Sequence, residues 1–522
     1  MTHWFNPPDL DFATILAHHG RWRAKRDALI CGDKRQSWAE FHVNTNKIAN
    51  GLIKLDIKPG DMIGMVMDNC AETIECYIGI LKAGACAVPI NLAVSDESMI
   101  AMLSDADVKM LIATENLVGR VEGVMSRLPL SVQENRIVAA GAADQWLALA
   151  DLKRGSDDDS PEVRHSPDMP MNVIYSSGTT GVPKGIVHSY RTRLAWALLL
   201  LPTLRIHTST RFLSVIGHYS NFSIVSILLT FLVGGTFVMT PSFNPEETLM
   251  LIEREKITCL PLVPVMSQMV MGVTGQEKYD LSSMTSLISC GSPLHEGLKR
   301  VMFDRFGYDR VIEVYGLTEG GIAAIDPENA PGKIASVGWP MIGSDFKLLD
   351  DNDNEVGIGE NGEVVIYSPS MMVGYLNRDD ANEATTWTDD RGRRWLRTGD
   401  VGKMDEDNDL YIVDRKKDMI LSGGQNIYPQ DIEAVAAKHP MVSQVAVIPV
   451  RSERWDESPL AVVVPKDPSN FDTEEVKNWI NNNVGKRERV ADVVVVDTLP
   501  LTLTGKILKR ELKETYKHLQ FP

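Results

Sequence analysis

The chain has 522 residues, 44% of them hydrophobic and 24% charged, an ordinary globular composition that excludes wholesale disorder. A chain of this length is expected to form roughly two to four domains. Its formal net charge of −17 argues against non-specific binding of nucleic acid or anionic membranes, so any anionic ligand must meet a local basic site.

The cysteines and the hydrophobic segments bear on where the protein works. The six cysteines show no C-x-x-C pair and no metal-ligand spacing, so we expect reduced thiols and a cytoplasmic location. The first residues contain no apolar stretch long enough for a signal peptide. The most hydrophobic window, residues 224–239, is interrupted by polar residues and glycines, and it predicts a buried helix and a strand rather than a membrane span.

From residue 41 the chain alternates between helical and strand-like hydrophobic patterns, which is typical of a parallel sheet covered by helices. The first run has predicted helices at 41–55 and 72–83 and predicted strands at 62–67, 87–90, 108–114 and 136–140. After an acidic segment, a second run has predicted strands at 211–216, 236–239, 258–262, 286–290 and 311–314. The pattern therefore predicts an α/β protein with two α/β layers side by side.

One stretch between the two runs has the composition of a phosphate-binding loop. Residues 175–185 read Tyr-Ser-Ser-Gly-Thr-Thr-Gly-Val-Pro-Lys-Gly, between a strand-like segment and a helix predicted at 188–200. Glycines let backbone N–H groups face an anion, hydroxyls add donors, and a lysine supplies charge. The spacing is not that of a Walker A loop, and a flexible surface loop is the alternative. The candidate phosphate-binding residues are Ser176, Ser177, Gly178, Thr179, Thr180 and Lys184.

Beyond residue 342 the pattern changes to short strands with polar turns, which predicts a small β-barrel or antiparallel sheet from strands at 345–349, 363–367 and 410–413. After residue 417 a separate α+β unit is predicted, with helices at 429–438, 473–484 and 507–519 and strands at 444–450, 460–464 and 493–496. We therefore expect a large N-terminal domain, residues 1–416, and a mobile C-terminal domain, residues 417–522.

Further motifs follow the loop in a fixed order. They are Gly291-Ser292-Pro293-Leu294, Tyr315-Gly316-Leu317-Thr318-Glu319, Thr398-Gly399-Asp400, Asp414-Arg415-Lys416-Lys417-Asp418, the segment 422–429 and the segment 500–506 that ends in Lys506. Each motif alone could be a turn. Together, across nearly the whole chain, they resemble the adenylate-forming superfamily, which comprises acyl- and aryl-CoA synthetases, peptide-synthetase adenylation domains and beetle luciferases.

That resemblance implies a two-step reaction. Members of the superfamily activate a carboxylate with ATP to an acyl adenylate and release pyrophosphate, and the CoA ligases among them then transfer the acyl group to CoA. The implied cofactors are ATP, Mg²⁺ and CoA as a co-substrate. By the same resemblance the loop 176–184 would hold the β- and γ-phosphates, Glu319 would hold Mg²⁺, and Thr318 would contact the α-phosphate.

The resemblance also assigns the nucleotide pocket. Asp400 would accept hydrogen bonds from the ribose hydroxyls, and Arg415 would approach the ribose and the phosphates. The walls around adenine would come from Gly291, Ser292 and Pro293 on one side and from Tyr315 on the other, and Gly316 is a further candidate for nucleotide binding. An ordinary turn carboxylate is the alternative for Asp400, and a surface ion pair is the alternative for Arg415.

The C-terminal motifs imply a moving catalytic lysine. Lys506 would bridge the carboxylate and the α-phosphate, and acetylation of this lysine by an acetyltransferase would switch off activation. Lys417 matches the hinge position about which the C-terminal domain would rotate, with a plain linker charge as the alternative. After rotation, Gly423 and Gly424 would line a tunnel for the pantetheine arm of CoA.

The acyl pocket is less well specified. His218 matches a histidine that relatives place beside the acyl group, although a packed core histidine is the alternative. Relatives commonly carry an aromatic residue and a proline where this chain has Gly217 and Ser214, which weakens any transfer of substrate preference. Asp456 replaces a glycine of many CoA ligases in a surface turn. Other candidates to line the pocket, or simply to pack in the core, are Ser220, Asn221, Met266, Met269 and Met271.

The sequence hypothesis is an AMP-forming carboxylate-CoA ligase, with a homodimer as a frequent arrangement in the family. The segment 426–433 looks like the CoA-ligase version of its region. Two alternatives are an adenylating enzyme without CoA transfer, of the peptide-synthetase or luciferase kind, and a non-catalytic acyl or nucleotide sensor. The identity of the acid stays open between short, branched, aromatic and carnitine-like carboxylates.

Overall fold

The computed structural model describes residues 11–176, 183–324, 330–422, 425–501 and 506–521. Within these residues the chain forms four β-sheets surrounded by helices. The helices of the N-terminal part are Phe12–Trp22, Trp38–Lys54, Ala71–Lys82, Asp96–Asp105, Glu115–Glu122, Leu130–Glu134, Leu149–Arg154, Tyr190–Thr203, Asn221–Val233, Pro245–Glu255, Pro264–Met271, Glu296–Phe306 and Asp379–Ala384. Short 3₁₀ helices lie at Met125–Arg127, Gln276–Lys278, Tyr308–Arg310 and Pro468–Asn470.

The first sheet has eight strands and carries the start of the phosphate-binding stretch. In spatial order its strands are Gly374–Tyr375, Lys184–Ser189, Pro170–Ser176, Cys86–Pro89, Met62–Val66, Met110–Thr114, Arg136–Ala139 and Leu147–Ala148. The last six of these run parallel, and Lys184–Ser189 pairs antiparallel with Pro170–Ser176. The strands on either side of this stretch therefore run in opposite directions.

The second sheet has nine strands and carries the adenine-wall motifs. In spatial order its strands are Trp339–Pro340, Gly320–Ala324, Val311–Leu317, Ser286–Ser289, Cys259–Leu262, Arg211–Ser214, Thr236–Met239, Asp27–Cys31 and Lys34–Ser37. Its centre is parallel. One hydrophobic core contains residues of both sheets, and the helix Asn221–Val233 is buried in it. The predicted pair of α/β layers is confirmed.

The predicted small β-barrel corresponds to a five-stranded antiparallel sheet. Its strands are Asp345–Leu349, Gly362–Tyr367, Arg394–Met404, Thr386–Thr388 and Leu410–Arg415. Its core includes Phe346, Val364, Ile366 and Leu410. The long strand Arg394–Met404 carries Asp400, and its neighbour Leu410–Arg415 leads to the predicted hinge.

The C-terminal part forms an α+β unit with its own hydrophobic cores. Its strands are Ile420–Ser422, Gln425–Ile427, Val442–Ser452, Asp456–Pro465, Asp492–Val495 and Gln520–Phe521, and its helices are Pro429–Ala436, Thr473–Asn483 and Lys509–Tyr516. The predicted domain boundary after residue 416 falls in the turn between Leu410–Arg415 and Ile420–Ser422, and it stays a prediction.

One predicted helix begins later in the structure, and three elements near the N-terminus were not predicted. The helix predicted from residue 188 begins at Tyr190, because residues 184–189 form a strand and the Ser189 side chain caps the helix by accepting from the Thr192 N–H at 3.3 Å. The helix Phe12–Trp22 and the strands Asp27–Cys31 and Lys34–Ser37 were not predicted. No helix in the described part of the chain is long and apolar enough to span a membrane.

Candidate functional site

The Asp400 carboxylate is held from two sides. Its Oδ2 accepts a hydrogen bond from the Tyr315 hydroxyl at 2.7 Å, and its Oδ1 lies 2.9 Å from Nε of Arg415. Asp400 and Arg415 are register partners on antiparallel strands, and the Asp400 N–H donates to the Thr398 hydroxyl at 3.0 Å. Burial and the Asp400 charge raise the pKa of Tyr315, so its phenol stays a donor. The structure thus brings three predicted nucleotide-binding residues into one contact group.

The adenine-wall residues lie at the carboxyl ends of two neighbouring parallel strands. Gly291 follows the strand Ser286–Ser289, and Tyr315 lies at the same level of the adjacent strand Val311–Leu317. Gly291 has φ of +90°, a backbone conformation that glycine adopts without strain. Ligands of open α/β sheets bind beside such strand ends, so this edge is a suitable place for a nucleotide base.

A buried ion pair supports the adenine-wall loop from behind. The Leu294 N–H donates to Glu313 Oε1 at 3.2 Å, directly after Ser292 and Pro293, and Lys299 Nζ lies 2.5 Å from Glu313 Oε2. Burial raises the pKa of Glu313, while the Lys299 charge opposes that change. Because an unpaired buried charge is costly, the pair fixes the loop to its strand.

Lys506 lies in the same electrostatic environment as the Asp400 group. It follows the described residue Leu501 across a gap and precedes the helix Lys509–Tyr516. Burial, followed by the Arg415 charge, lowers the pKa of Lys506 to about 8, and the Asp400 charge acts in the opposite direction. The C-terminal part therefore presents this lysine to the nucleotide side of the site.

Glu319 and Lys184 meet at a tyrosine that the sequence did not single out. The Tyr375 hydroxyl donates to Glu319 Oε1 at 2.9 Å, and Lys184 Nζ lies 4.9 Å from the centre of the Tyr375 ring. Tyr375 reaches both because its short strand pairs with Lys184–Ser189. At Gly320, φ is +124° and a Cβ atom would lie 2.5 Å from the Met371 Cα, so only glycine fits after Glu319.

His218 is buried away from these contacts. Its Nε2 lies 3.3 Å from the Ser214 hydroxyl, and its backbone N–H donates to Asn69 Oδ1 at 3.0 Å. Burial lowers the pKa of His218 to about 3, so the imidazole is neutral at physiological pH. His218 Nδ1 has no hydrogen-bond partner among the residues that the structure describes. A neutral ring with a free nitrogen can orient a ligand but carries no charge.

The residues around the predicted hinge connect the two parts of the chain. Lys417 is exposed in the turn, and its carbonyl oxygen accepts from Lys513 Nζ at 3.2 Å. On the N-terminal side of the turn, Asp414 Oδ2 accepts from the Gln430 N–H at 2.9 Å. Burial raises the pKa of Asp414 to about 6. The Asp414–Gln430 contact was not predicted, because it depends on the mutual orientation of the two parts.

Several predicted residues lie outside the described part of the chain. They are Ser177, Gly178, Thr179, Thr180, Gly423 and Gly424. At the edges of the first gap, Ser176 and Lys184 are register partners, so the stretch between them begins and ends at one point of the sheet. Gly316 and Thr318 lie between Tyr315 and Glu319, at the end of the strand Val311–Leu317.

Taken together, the described residues form two groups of polar side chains. Asp400, Tyr315, Arg415 and Lys506 make up one charged group, and Glu319, Tyr375 and Lys184 make up a second. Thr318 and Glu319 follow Tyr315 by three and four residues, which places the second group directly beyond the first along the chain. A nucleoside triphosphate has ribose hydroxyls that can donate to a carboxylate and phosphates that attract cations. A carboxylate next to several cations therefore suits such a ligand.

Two protein-family models match the chain. The model described as "AMP-binding enzyme" matches residues 16–376, and the model described as "AMP-binding enzyme C-terminal domain" matches residues 431–506. The first match begins in the first helix, the second ends at Lys506, and residues 377–430 lie between them.

Individual relatives are similar along nearly their whole length. The chain is 30% identical over 503 residues to 4-coumarate–CoA ligase 2 of Nicotiana tabacum, covering 94% of this chain and 91% of that protein. It is 31% identical over 514 residues to feruloyl-CoA synthase of an Amycolatopsis species, covering 95% and 99%. The solved amide bond synthetase McbA of Marinactinospora thermotolerans superposes with a TM-score of 0.87 at 23% identity, covering 97% and 99%, which shows a shared fold.

Proposed function

The chain belongs to the AMP-binding enzyme family, and from this premise we propose that it is an AMP-forming carboxylate-CoA ligase. In the first step a carboxylate oxygen attacks the α-phosphorus of ATP, the bond to the β-phosphate breaks, and pyrophosphate leaves. In the second step the CoA sulfur attacks the acyl carbon and AMP leaves. The observation that carries the proposal is the joint environment of Asp400, Arg415 and Lys506.

The first step brings anions together, so neutralising and positioning their charges is the main catalytic task. Asp400 would accept from the ribose hydroxyls while Tyr315 and Arg415 keep its carboxylate fixed. Arg415 and Lys506 would face the negative charge of the acid and the α-phosphate. Lys184 would face the other phosphates from beside Tyr375.

The residues present also fit a magnesium ion. Glu319 offers one carboxylate group whose Oε1 is oriented by Tyr375, and Glu319 is only partly buried. Mg²⁺ in such sites is held by one or two carboxylates together with water and substrate phosphates, so a single glutamate is sufficient. When bound, the ion would supply positive charge to the phosphates of ATP, and Tyr375 would keep Glu319 aimed at it.

The C-terminal unit supports CoA as the acceptor. The Trp455 ring lies between two guanidinium groups, with the Arg454 and Arg487 Cζ atoms 4.6 and 4.0 Å from its centre. Ser422, which precedes Gly423 and Gly424, pairs with Asp456 beside this tryptophan. A basic aromatic face next to the predicted pantetheine tunnel suits a phosphorylated nucleotide such as the adenosine end of CoA.

Catalysis of both adenylation and thioester formation would require the C-terminal unit to move. The Lys506 side chain feels the charges of Asp400 and Arg415 in this structure, whereas the Trp455 face would serve the second step. Lys417 would act as the hinge, and the Asp414–Gln430 hydrogen bond would have to break during the rotation. One site would then serve two reactions in turn.

Other adenylating activities are the second candidate, because McbA shares the fold and is an amide bond synthetase. A screen of pyrophosphate release over a panel of carboxylic acids, with CoA, with amines and with neither, separates the candidates. Acid-dependent release with a CoA thioester among the products supports the ligase. Release that gives only an amide, or no acid-dependent release at all, would contradict it.

Two variants sharpen the assignment of CoA. Gly424→Leu should slow thioester formation more than adenylation, because a side chain would narrow the predicted tunnel. Arg487→Ala should raise the KM for CoA by about 10-fold, as expected for one lost charge-assisted hydrogen bond, and leave the KM for ATP unchanged. The control is Arg154→Ala, which removes a surface arginine with a 77% exposed side chain. Equal rates for all three variants would argue for another acceptor.

Further parts of the proposal concern regulation and surroundings. Acetylation of Lys506 would remove its charge and stop adenylation. Mass spectrometry of the acetylated enzyme, together with an assay of its activity, would test this.

A homodimer is proposed from the family resemblance, and sedimentation velocity would measure it. Since ATP and CoA are both substrates, we propose a cytoplasmic location.

A further inference from the structure

Arg193 is a fully buried cation that pairs with no carboxylate in the part of the chain that the structure describes. It lies in the helix Tyr190–Thr203 and is 0% exposed. Its Nε donates to Asn172 Oδ1 and its Nη1 donates to Asn221 Oδ1, both at 2.7 Å. Its Nη2 has no hydrogen-bond partner in the described part of the chain. The two amide oxygens solvate the guanidinium group but do not neutralise its charge.

The surroundings of Arg193 are rich in donors. Among the described residues, no hydrogen-bond partner is found for Asn172 Nδ2, Trp196 Nε1 or the Tyr77 hydroxyl. The Trp196 ring lies 6.0 Å from the Arg193 Cζ atom and 6.4 Å from the His188 ring. Buried polar groups are nearly always paired, so a cluster of unpaired donors around a cation points to a missing acceptor.

This donor cluster adjoins the site of the proposed reaction. Asn221 is the first residue of the buried helix that follows His218, and it directly contacts Arg193. At the other end, the His188 ring lies against the backbone of Thr318, the predicted α-phosphate contact. The cluster therefore adjoins both the segment that follows His218 and the predicted α-phosphate contact.

We propose that the enzyme activates a dicarboxylic acid and that Arg193 binds the carboxylate that does not react. This inference rests on the proposed carboxylate-activating function. A second carboxylate would neutralise the buried guanidinium and accept hydrogen bonds from Nη2 and from Asn172. An acid with an apolar tail would leave the cation unpaired in a region closed to solvent, which is the costly alternative. Arg193 is thus a specificity-determining residue.

The test compares acids of equal chain length that differ in the second carboxylate: succinate with butyrate, glutarate with pentanoate, and adipate with hexanoate. The measured quantity is kcat/KM for pyrophosphate release. The wild-type enzyme should prefer at least one dicarboxylate over its partner by about 100-fold, since a site built for a polar group discriminates strongly against an analogue that lacks it.

Variants of the arginine show whether it causes the preference. Arg193→Met should lower the ratio of kcat/KM for the dicarboxylate to kcat/KM for the monocarboxylate by about 100-fold. Arg193→Lys keeps the charge but not the two-pronged guanidinium group, so its ratio should lie between those of the wild type and Arg193→Met. Arg191→Met is the matched control, because Arg191 lies two residues away with a 62% exposed side chain paired to Asp168. Its ratio should equal that of the wild type.

The outcomes separate the inference from the proposed function. The inference is overturned if the enzyme releases pyrophosphate with monocarboxylates and shows no preference for dicarboxylates. It is also overturned if Arg193→Met and Arg193→Lys both leave the preference unchanged. Neither result contradicts the proposed ligase function. No release from any carboxylic acid overturns both. If Arg193→Met fails to fold by circular dichroism, the ratio for Arg193→Lys decides alone.

Discussion

Asp400 and Arg415 face each other across two antiparallel strands, and their side chains form an ion pair with 2.9 Å between Oδ1 and Nε. The pair joins the long strand of the small sheet to the residue that begins the turn at the predicted hinge. A ligand that binds Asp400 would therefore lie close to the turn that is predicted to act as the hinge.

The first prediction concerns Asp400. Asp400→Asn keeps the shape of the side chain but removes its charge, so the KM for ATP should rise by about 10- to 100-fold, the range expected for a lost charge-assisted hydrogen bond. Steady-state pyrophosphate release at varied ATP measures the change. Asp407→Asn is the control, because Asp407 has a 71% exposed side chain and contacts Lys333. An unchanged KM for ATP in Asp400→Asn would remove the ribose assignment.

The second prediction concerns the charge of Lys506. Since its pKa is lowered to about 8, the lysine loses its proton as the pH rises through that value. The kcat/KM for acid-dependent pyrophosphate release reports the free enzyme and should therefore fall above about pH 8. In Lys506→Arg the guanidinium stays protonated, so the residual activity should show no such decline.

A half-reaction assay separates Lys506 from general damage. Lys506→Ala should abolish acid-dependent ATP–pyrophosphate exchange, yet supplied acyl adenylate should still react with CoA. Loss of both steps to the same extent would contradict a role confined to adenylation. A decline of kcat/KM above pH 8 that persists in Lys506→Arg would assign the titration to another group.

The layers and the order of the motifs could be predicted from the sequence, because hydrophobic periodicity and glycine placement are local properties. Tyr315 and Gly291 follow predicted strands, and neighbouring parallel strands end at one edge, so their proximity was predictable. The helix Asn221–Val233 and the strand Thr236–Met239 were likewise predictable from one apolar window.

Contacts that depend on long-range pairing could not be predicted. Tyr375 reaches Glu319 only because the two-residue strand Gly374–Tyr375 pairs with Lys184–Ser189, and the last two residues of Lys184–Ser189 were predicted to begin a helix. Arg193 lies on a helix that is not clearly amphipathic, so its burial depends on which elements surround it. Single residues of this kind carry no periodic signal in the sequence.

The third prediction concerns Tyr375 as a positioning residue. Burial and the Glu319 charge raise the pKa of Tyr375, so its phenol remains a donor to Glu319. Tyr375→Phe keeps the ring beside Lys184 but removes this bond. The Mg²⁺ concentration for half-maximal pyrophosphate release should rise by roughly 3- to 10-fold, with activity restored at high Mg²⁺.

Tyr367 serves as the control for the effect of Tyr375→Phe on the Mg²⁺ dependence. Tyr367 is 37% exposed, and Tyr367→Phe removes a hydroxyl from the same small sheet. Its Mg²⁺ dependence should match that of the wild type. A general loss of kcat in Tyr375→Phe without any shift in the Mg²⁺ dependence would argue against the orienting role.

The last prediction concerns the buried Lys82. Its Nζ donates to the Thr45 hydroxyl and to Asn46 Oδ1, both at 2.8 Å, and lies 3.0 Å from His42 Nδ1. Lys82 is 2% exposed, and burial lowers its pKa to about 7. His42, whose pKa is lowered to about 4 by burial and by Lys82, is neutral above pH 7.

The pH dependence of stability follows from the lowered pKa of Lys82. Between about pH 7 and 10 the unfolded chain binds the proton and the folded chain does not, so the free energy of unfolding should rise with pH, by up to a few kcal/mol. Below pH 7 both states are protonated and the contribution is constant. Denaturant unfolding at pH 7 and 10 should show wild type gaining stability relative to Lys82→Met, whereas Lys25→Met, at an exposed lysine, should track wild type. A difference between wild type and Lys82→Met that does not change with pH would mean that Lys82 stays charged in the folded protein.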